Sequence, residues 1–174
     1  MYHAGKGIVV PTSTMLSDEN GLTYNRFEFT QRGHIFLKGS NSFVELNGKT
    51  GIYLVIKYRA QNNSDLTLEM QTSDLPVNST YPYRTMTTAK KPASKVSTEW
   101  EVAVIDLARF TTYQRNTDFE VIIRITTTCG FVDIAYSALV DDISEAEAYI
   151  SIKGDSTYVN YSNWAQDGTA TSIE

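Results

Sequence analysis

The feature that most constrains this chain is an alternation of apolar and polar residues that begins at Gly51. The apolar residues on one face are Ile52, Leu54, Ile56 and Tyr58. Val55 is the only aliphatic residue among those that point the other way. Successive side chains of a strand point to opposite faces of its sheet, so this pattern predicts a β-strand with one buried face.

Similar alternation recurs later in the chain, and no segment shows the apolar stripe of a long helix. The later segments span residues 65–71, 100–107, 119–125 and 131–140. Short strands with few helices predict an all-β protein, folded as an antiparallel β-sandwich of the jelly-roll type. A closed barrel is the alternative, but strands that are apolar on one face suit two sheets packed face to face.

The connections between these strands carry two further predictions. The polar link at residues 61–64 is short, so we expect residues 52–60 and 65–71 to form an antiparallel hairpin. Residues 72–98 are rich in Ser, Thr and Pro and form a long loop. A connection of that length is uncommon in a compact domain unless it is functional or mobile, so binding residues are expected there first.

The chain of 174 residues divides into three predicted parts. Residues 1–21 are an N-terminal arm, residues 22–150 form the sandwich domain, and residues 151–174 are a C-terminal tail or linker. Asp142 and Glu145 match a capping box, which predicts one short helix at residues 143–150.

Composition argues against several classes of function. The net charge is -5, and an acidic chain with no long basic run is poorly suited to bind the phosphates of nucleic acid. The apolar runs are too short to predict a membrane span. The single cysteine, Cys129, excludes an intrachain disulfide. No hydrolase, metalloprotease or nucleotide-binding motif occurs, so we predict that the chain is not an enzyme.

The order of the predicted strands resembles a known family of β-sandwiches. The matching segments are residues 53–59, 100–107, 122–125 and 132–136, closed by Asp141 and Asp142. Across residues 22–150 this order resembles the galactose-binding-like jelly roll of many carbohydrate-binding modules, which are common in surface and fibre proteins of gut bacteria and their phages. The resemblance implies a non-catalytic module that is extracellular or part of a virion and that binds cell-surface carbohydrate.

In the light of this resemblance, aromatic and basic residues of the long loop become candidate ligand-binding residues. They are Tyr81, Tyr83 and Arg84. A tyrosine ring can pack on the C–H face of a sugar, while an arginine binds its hydroxyls in bidentate fashion. Packing of the loop against the edge of the sandwich explains the same residues and is the interpretation that we favour.

A second candidate surface lies on the polar faces of the strands. Arg59, Lys57 and Arg124 lie opposite the main apolar stripes, and neighbouring strands would bring them into one patch suited to an acidic or neutral glycan. A solvated sheet face is the simpler explanation. Trp100 shares a face with the next apolar residues of its strand, so we predict that it is a core residue.

Three aromatic residues of the predicted tail support an alternative function. Tyr158, Tyr161 and Trp164 are candidate anchors on a partner, because aromatic side chains dominate the centres of protein interfaces. On this hypothesis the chain is a structural virion protein, such as a capsid decoration, head-fibre or tail component. It would then act through contacts with neighbouring proteins and form oligomers.

Two acidic residues after the last strand are candidate metal ligands. Many modules of the family that the chain resembles carry a structural calcium ion, and Asp141 and Asp142 are the carboxylates that would bind it. The cap of the predicted helix explains the same acids and is the interpretation that we favour. No other cofactor is predicted.

Overall fold

The computed structural model describes residues 12–30, 33–36, 43–44, 53–62, 66–72, 84–91, 97–106, 119–125, 130–161, 164 and 168–174. These residues contain twelve strands and one helix. The first strands are β1 (Thr12–Ser17), β2 (Thr23–Phe29), β3 (Gly33–Phe36), β4 (Phe43–Val44), β5 (Tyr53–Asn62) and β6 (Leu66–Thr72). The later elements are β7 (Arg84–Lys91), β8 (Glu101–Asp106), β9 (Phe119–Ile125), β10 (Gly130–Val140), α1 (Ile143–Ile152), β11 (Thr157–Tyr161) and β12 (Thr169–Ser172).

The strands form two sheets. The large sheet has seven strands in the order β1-β2-β10-β5-β8-β11-β12. The small sheet has the order β3-β9-β6-β7, and β4 also pairs with β9. Among the described strands every pairing is antiparallel except that of β11 with β8. The predicted all-β sandwich is therefore confirmed.

The expected hairpin between β5 and β6 is wrong. β5 lies in the large sheet between β10 and β8, whereas β6 lies in the small sheet between β9 and β7. The two strands therefore belong to different sheets and do not pair with each other. A sequence pattern identifies each strand but does not distinguish a hairpin from a corner, because both need a short polar link.

β10 is an interior strand of the large sheet, between β2 and β5, as its apolar residues on both faces indicate. A β-bulge lies between Ile134 and Tyr136, so Ala135 is an extra residue in the strand. Because of the bulge, Asp133 and Tyr136 pair with alternate residues of β5 and point to the same face. Simple alternation, which places Tyr136 with Ile134, is wrong here.

Both faces of the large sheet are buried at β5. Leu54, Ile56 and Tyr58 are at most 2% exposed, which confirms the predicted apolar face. Val55 is 0% exposed on the opposite face, because α1 packs there. The buried cluster under the helix comprises Val55, Val104, Tyr136, Ala146, Ile150 and Tyr158. We call the side of the large sheet that carries α1 the outer face.

The sheet extends beyond the predicted domain boundaries at both ends. β1 pairs along its whole length with β2, although these residues were assigned to the arm. β11 and β12 were assigned to the tail, and they complete the other edge of the large sheet. Residues 1–11 lie outside the described ranges. Within the described residues, no helix has the length and apolarity needed to cross a lipid bilayer.

Candidate functional site

The outer face carries two arginines around one buried carboxylate. Asp133 on β10 lies opposite Arg26 on β2 and Arg59 on β5. Arg26 donates from Nε and Nη2 to the two carboxylate oxygens, each at 2.8 Å, and Arg59 donates from Nε to Oδ2 at 2.8 Å. Asp133 is fully buried, so its charge is balanced by these two partners rather than by water. We call this group the arginine clamp.

The clamp positions the ring of Trp100. The guanidinium carbon of Arg59 lies 4.6 Å from the centroid of the Trp100 ring and 5.1 Å from that of Tyr24. Tyr24 meets Trp100 edge to face, with 5.3 Å between centroids, and its hydroxyl accepts a bond of 3.2 Å from Arg59. Cation–π and edge-to-face contacts both favour one orientation, so the indole is held in place.

Trp100 lies at the margin of a cleft with a volume of about 430 Å³. Such a volume lies within the range of roughly 300–1,000 Å³ that is typical of small-molecule sites. The residues that line the cleft are Lys57, Ser97, Glu99, Trp100, Glu101, Val102, Asp155, Thr157, Tyr158, Val159 and Ala170. They come from β5, β8, β11, β12 and the two segments that precede β8 and β11. We call this feature the Trp100 cleft.

An ion pair lies in the Trp100 cleft. Lys57 Nζ is 2.8 Å from Asp155 Oδ1 and 3.1 Å from Oδ2. The hydroxyl of Tyr136 donates to Asp155 Oδ2 at 2.8 Å. Burial, and then this bond to an anion, raises the pKa of Tyr136, so the phenol stays protonated and remains a donor. The bulge in β10 is what turns Tyr136 towards this carboxylate.

Glu101 connects the cleft to the core of the sandwich. It accepts hydrogen bonds from Tyr58 at 2.9 Å and from Tyr161 at 3.1 and 3.2 Å. Burial and the charge of Glu101 both raise the pKa of Tyr58. Trp164 packs edge to face on Tyr58, with 5.5 Å between centroids. The indole N–H of Trp164 lies near the Tyr58 hydroxyl, but the two groups do not have the geometry of a hydrogen bond.

Of the residues predicted to bind a ligand, the described structure places Arg59 at this site. Arg84 lies on β7 and Arg124 on β9, both in the small sheet, so neither neighbours Arg59 on a shared sheet face. The predicted patch of Arg59, Lys57 and Arg124 is therefore wrong as a single surface. Tyr81 and Tyr83 lie outside the described residues.

The predicted partner anchors are buried in the chain itself. Tyr158 is 4% exposed, Tyr161 7% and Trp164 1%. Tyr158 packs under α1 and donates to Glu147 at 3.0 Å, while Tyr161 and Trp164 surround Glu101 and Tyr58. Aromatic residues in a polar segment are typical of interface anchors, but here they pack against elements that are distant in sequence.

The candidate metal ligands cap the helix. Asp142 Oδ1 accepts from the Glu145 amide at 2.9 Å and from Ser144 Oγ at 2.7 Å, and these bonds lower its pKa. The bond from the Glu145 amide confirms Asp142 as the N-cap, whereas the Glu145 side chain accepts from the amide of Asp141, at 2.9 Å, instead of from that of the N-cap residue itself. Across the described ranges, no three His, Cys, Asp or Glu side chains gather to hold a metal, and the calcium ion stays a prediction.

Sequence patterns contain only weak signals for the residues that form the Trp100 cleft. Trp100 was assigned to the core because it shares a face with apolar neighbours, but that face is only partly covered by α1. Lys57 stood out as a polar residue on a strand. Asp155 follows Gly154 in a short connection, and no local pattern predicts that its carboxylate reaches Lys57, almost a hundred positions away.

Two solved structures with a similar fold are family 30 carbohydrate-binding modules. The family 30 carbohydrate-binding module of the cellulosomal cellulase Cel9D-Cel44B of Clostridium thermocellum has a TM-score of 0.53 at 13% identity, covering 77% of this chain and 83% of that chain. Another family 30 module has a TM-score of 0.51 at 13% identity, with coverages of 76% and 74%. No family model and no curated protein matches the chain. At this identity the likeness establishes the β-sandwich fold alone.

Proposed function

We propose that this chain is a non-catalytic carbohydrate-binding module that holds a glycan in the Trp100 cleft. The observation that carries the proposal is the immobilised indole at the margin of a cleft lined with polar groups. A sugar presents an apolar C–H face and a rim of hydroxyls. It therefore needs a flat aromatic surface beside hydrogen-bonding groups, which is what the cleft offers.

The state of Trp100 supports binding rather than a purely structural role. Arg59 and Tyr24 order the ring, while the residue remains half-buried and lines the cleft. An aromatic surface that is already fixed loses little conformational entropy when a ligand stacks on it. Most of the binding free energy is then retained.

Hydrogen-bonding groups lie on several sides of the cleft. Ser97 and Thr157 contribute hydroxyls, Glu99 and Glu101 carboxylates, and Lys57 an ammonium group. Sugar hydroxyls both donate and accept, so such a mixed lining can satisfy them where a purely apolar pocket would leave them unpaired.

The setting of this activity is part of the proposal. We expect the module to act outside the cell or on a virion, where polysaccharides are accessible, and to be held there by neighbouring proteins. The alternative of a purely structural virion protein rested on aromatic anchors in the C-terminal segment. Burial of those side chains in the sandwich removes its main support.

The test is affinity electrophoresis and calorimetry with four neutral polysaccharides: hydroxyethylcellulose, dextran, galactomannan and xylan. We expect binding to at least one of them. Trp100→Ala should weaken that binding by roughly five- to tenfold, since stacking on one ring contributes about 1–1.5 kcal/mol. A wild-type protein that binds none of the four would overturn the proposal.

Phe131→Ala is the matched control. Phe131 is an aromatic residue on the same face of the large sheet, with Arg26 3.9 Å above its ring, but it does not line the cleft. Its loss should leave glycan affinity within about twofold of wild type, because only the cleft supplies the stacking surface. Equal losses of glycan affinity in Trp100→Ala and Phe131→Ala would show that binding depends on the arginine clamp and not on the Trp100 ring.

A further inference from the structure

The Lys57–Asp155 ion pair lines the Trp100 cleft. We propose that this pair is the polar half of the glycan site and that it makes the cleft select uncharged sugars over sugars that carry carboxylates. The inference rests on the proposed function and adds to it a class of ligand and two specificity-determining residues.

The pair offers a donor and an acceptor side by side. The ammonium group of Lys57 has three donors, and it makes two contacts with the carboxylate of Asp155. An ionised carboxylate has about four acceptor positions, of which Lys57 and Tyr136 use three on Asp155. The remaining donor and acceptor can bind two adjacent hydroxyls of one sugar, one accepting and the other donating.

Three contacts hold this pair in place before any ligand arrives. Lys57 reaches Asp155 with a side chain that is only 15% exposed, and Asp155 is 22% exposed. Tyr136 supports Asp155 from the buried cluster under α1. A pair fixed in this way is preorganised, so hydroxyls can bind it without reordering its side chains.

The charge balance of the cleft opposes anions. Lys57 is the one cation among the described residues that line the cleft, and its charge is neutralised by Asp155. The nearby Arg59 is engaged by Asp133. Glu99 and Glu101 add negative charge to the lining. A sugar carboxylate would therefore lose its hydration without gaining an unpaired cation from the described residues that line the cleft, which is unfavourable in a partly buried site.

The decisive variant is Asp155→Asn. It keeps the size of the side chain, replaces the carboxylate by a neutral amide and leaves the ammonium of Lys57 without its counterion. Affinity for a neutral glycan should fall roughly tenfold, the size expected for a lost hydrogen bond to a charged group. Affinity for a carboxylated glycan should rise, and that rise should disappear as salt is added. A merely structural role for Asp155 would not produce this reversal.

The experiment compares each of the four neutral polysaccharides with its own carboxymethylated form, so that backbone and linkage are constant within a pair. Wild-type protein should bind the neutral form at least tenfold more tightly than the carboxymethylated form. In Asp155→Asn that ratio should fall below about twofold, as expected when a free cation replaces a neutral pair. Tyr136→Phe, which retains both charges, should lower neutral affinity without any gain for the carboxymethylated form.

A control variant separates local from global charge. Glu19→Gln changes the net charge by the same amount at an exposed turn outside the cleft, and it should leave the ratio unchanged. Wild-type protein that binds both forms alike, or an Asp155→Asn protein that loses both equally, would overturn this inference and leave the proposed function intact. Binding to no neutral polysaccharide would overturn both.

Discussion

The two tryptophans of this chain differ in their surroundings, and the difference separates a proposed binding role from a structural role. Trp164 is 1% exposed and lies with Tyr58 and Tyr161 around Glu101. Trp100 is half-buried at the margin of a cleft, held by a cation and a ring. The sequence had suggested the opposite roles, with Trp100 in the core and Trp164 on a partner. Whether a tryptophan ring is buried depends on the elements that pack against it, and those elements come from distant parts of the chain.

The largest expected effect is the loss of stability when Trp164 is replaced. Trp164→Ala should lower the free energy of unfolding by about 3–5 kcal/mol, because it leaves a large cavity. Trp100→Ala should lower it by only about 1 kcal/mol, since the ring is partly solvated in the folded state. Urea denaturation measures both values. Equal losses of stability would contradict the division between the two residues.

The next effect concerns the support behind Trp100. Asp133→Asn should lower the free energy of unfolding by about 2–3 kcal/mol, less than the loss for a wholly buried pair because both arginines are partly exposed. Glycan affinity should fall with it, because Arg59 loses the partner that holds it over the indole. Retained affinity in a destabilised Asp133→Asn protein would show that Trp100 needs no such support.

A smaller effect tests the packing near Trp164. A methyl group on Gly168 would collide with Val159 Cγ1 and lie 2.9 Å from Tyr161 Cε1 and 3.0 Å from Asn160 O. Gly168→Ala should therefore destabilise the fold by about 1–3 kcal/mol through overpacking. Thermal unfolding of Gly168→Ala beside the exposed neighbour Thr169→Ala checks this, and the second variant should unfold close to wild type.

The smallest effect is at the helix that covers part of the outer face. Hydrogen bonds from Glu145 and Ser144 lower the pKa of Asp142 in the folded state. A lowered carboxyl pKa stabilises the fold above the unfolded-state pKa, and that contribution is lost as pH falls through the folded-state value. Asp142→Ala should thus lower the melting temperature slightly near neutral pH, and the difference from wild type should shrink in acid. A difference that persists in acid would mean that capping charge is not the cause.

Local rules predicted the parts of the fold that depend on neighbouring residues. The alternation around Leu54 and Ile56 identified β5, and Asp142 with Glu145 identified the start of α1. Each of these signals lies within a few positions, where side-chain period and capping chemistry apply directly. Ion-pair partners such as Arg59 and Asp133 are far apart in sequence. Strand alternation therefore predicts the sheet face on which each residue lies, but it does not predict that the two side chains form an ion pair.

The remaining features depend on register between distant strands. The bulge at Ala135 turns Tyr136 to the outer face, and the parallel pairing of β11 with β8 brings the C-terminal segment beside the cleft. Neither has a local signal, since a one-residue shift alters the exposed face without altering composition. Most of the candidate site was missed for that reason, and Arg59 and Lys57 were the residues that strand patterns could identify.

The parallel pairing of β11 with β8 also has a practical consequence. A shortened version that stops at residue 150, where strand patterns placed the domain boundary, would remove Asp155, β11 and β12 together. Such a fragment would retain β5 and β8 yet lack one wall of the cleft, and the underside of α1 would lose Tyr158. During synthesis, likewise, the proposed glycan site can form only after β11 and β12 have been made, because both strands contribute residues to the lining of the cleft.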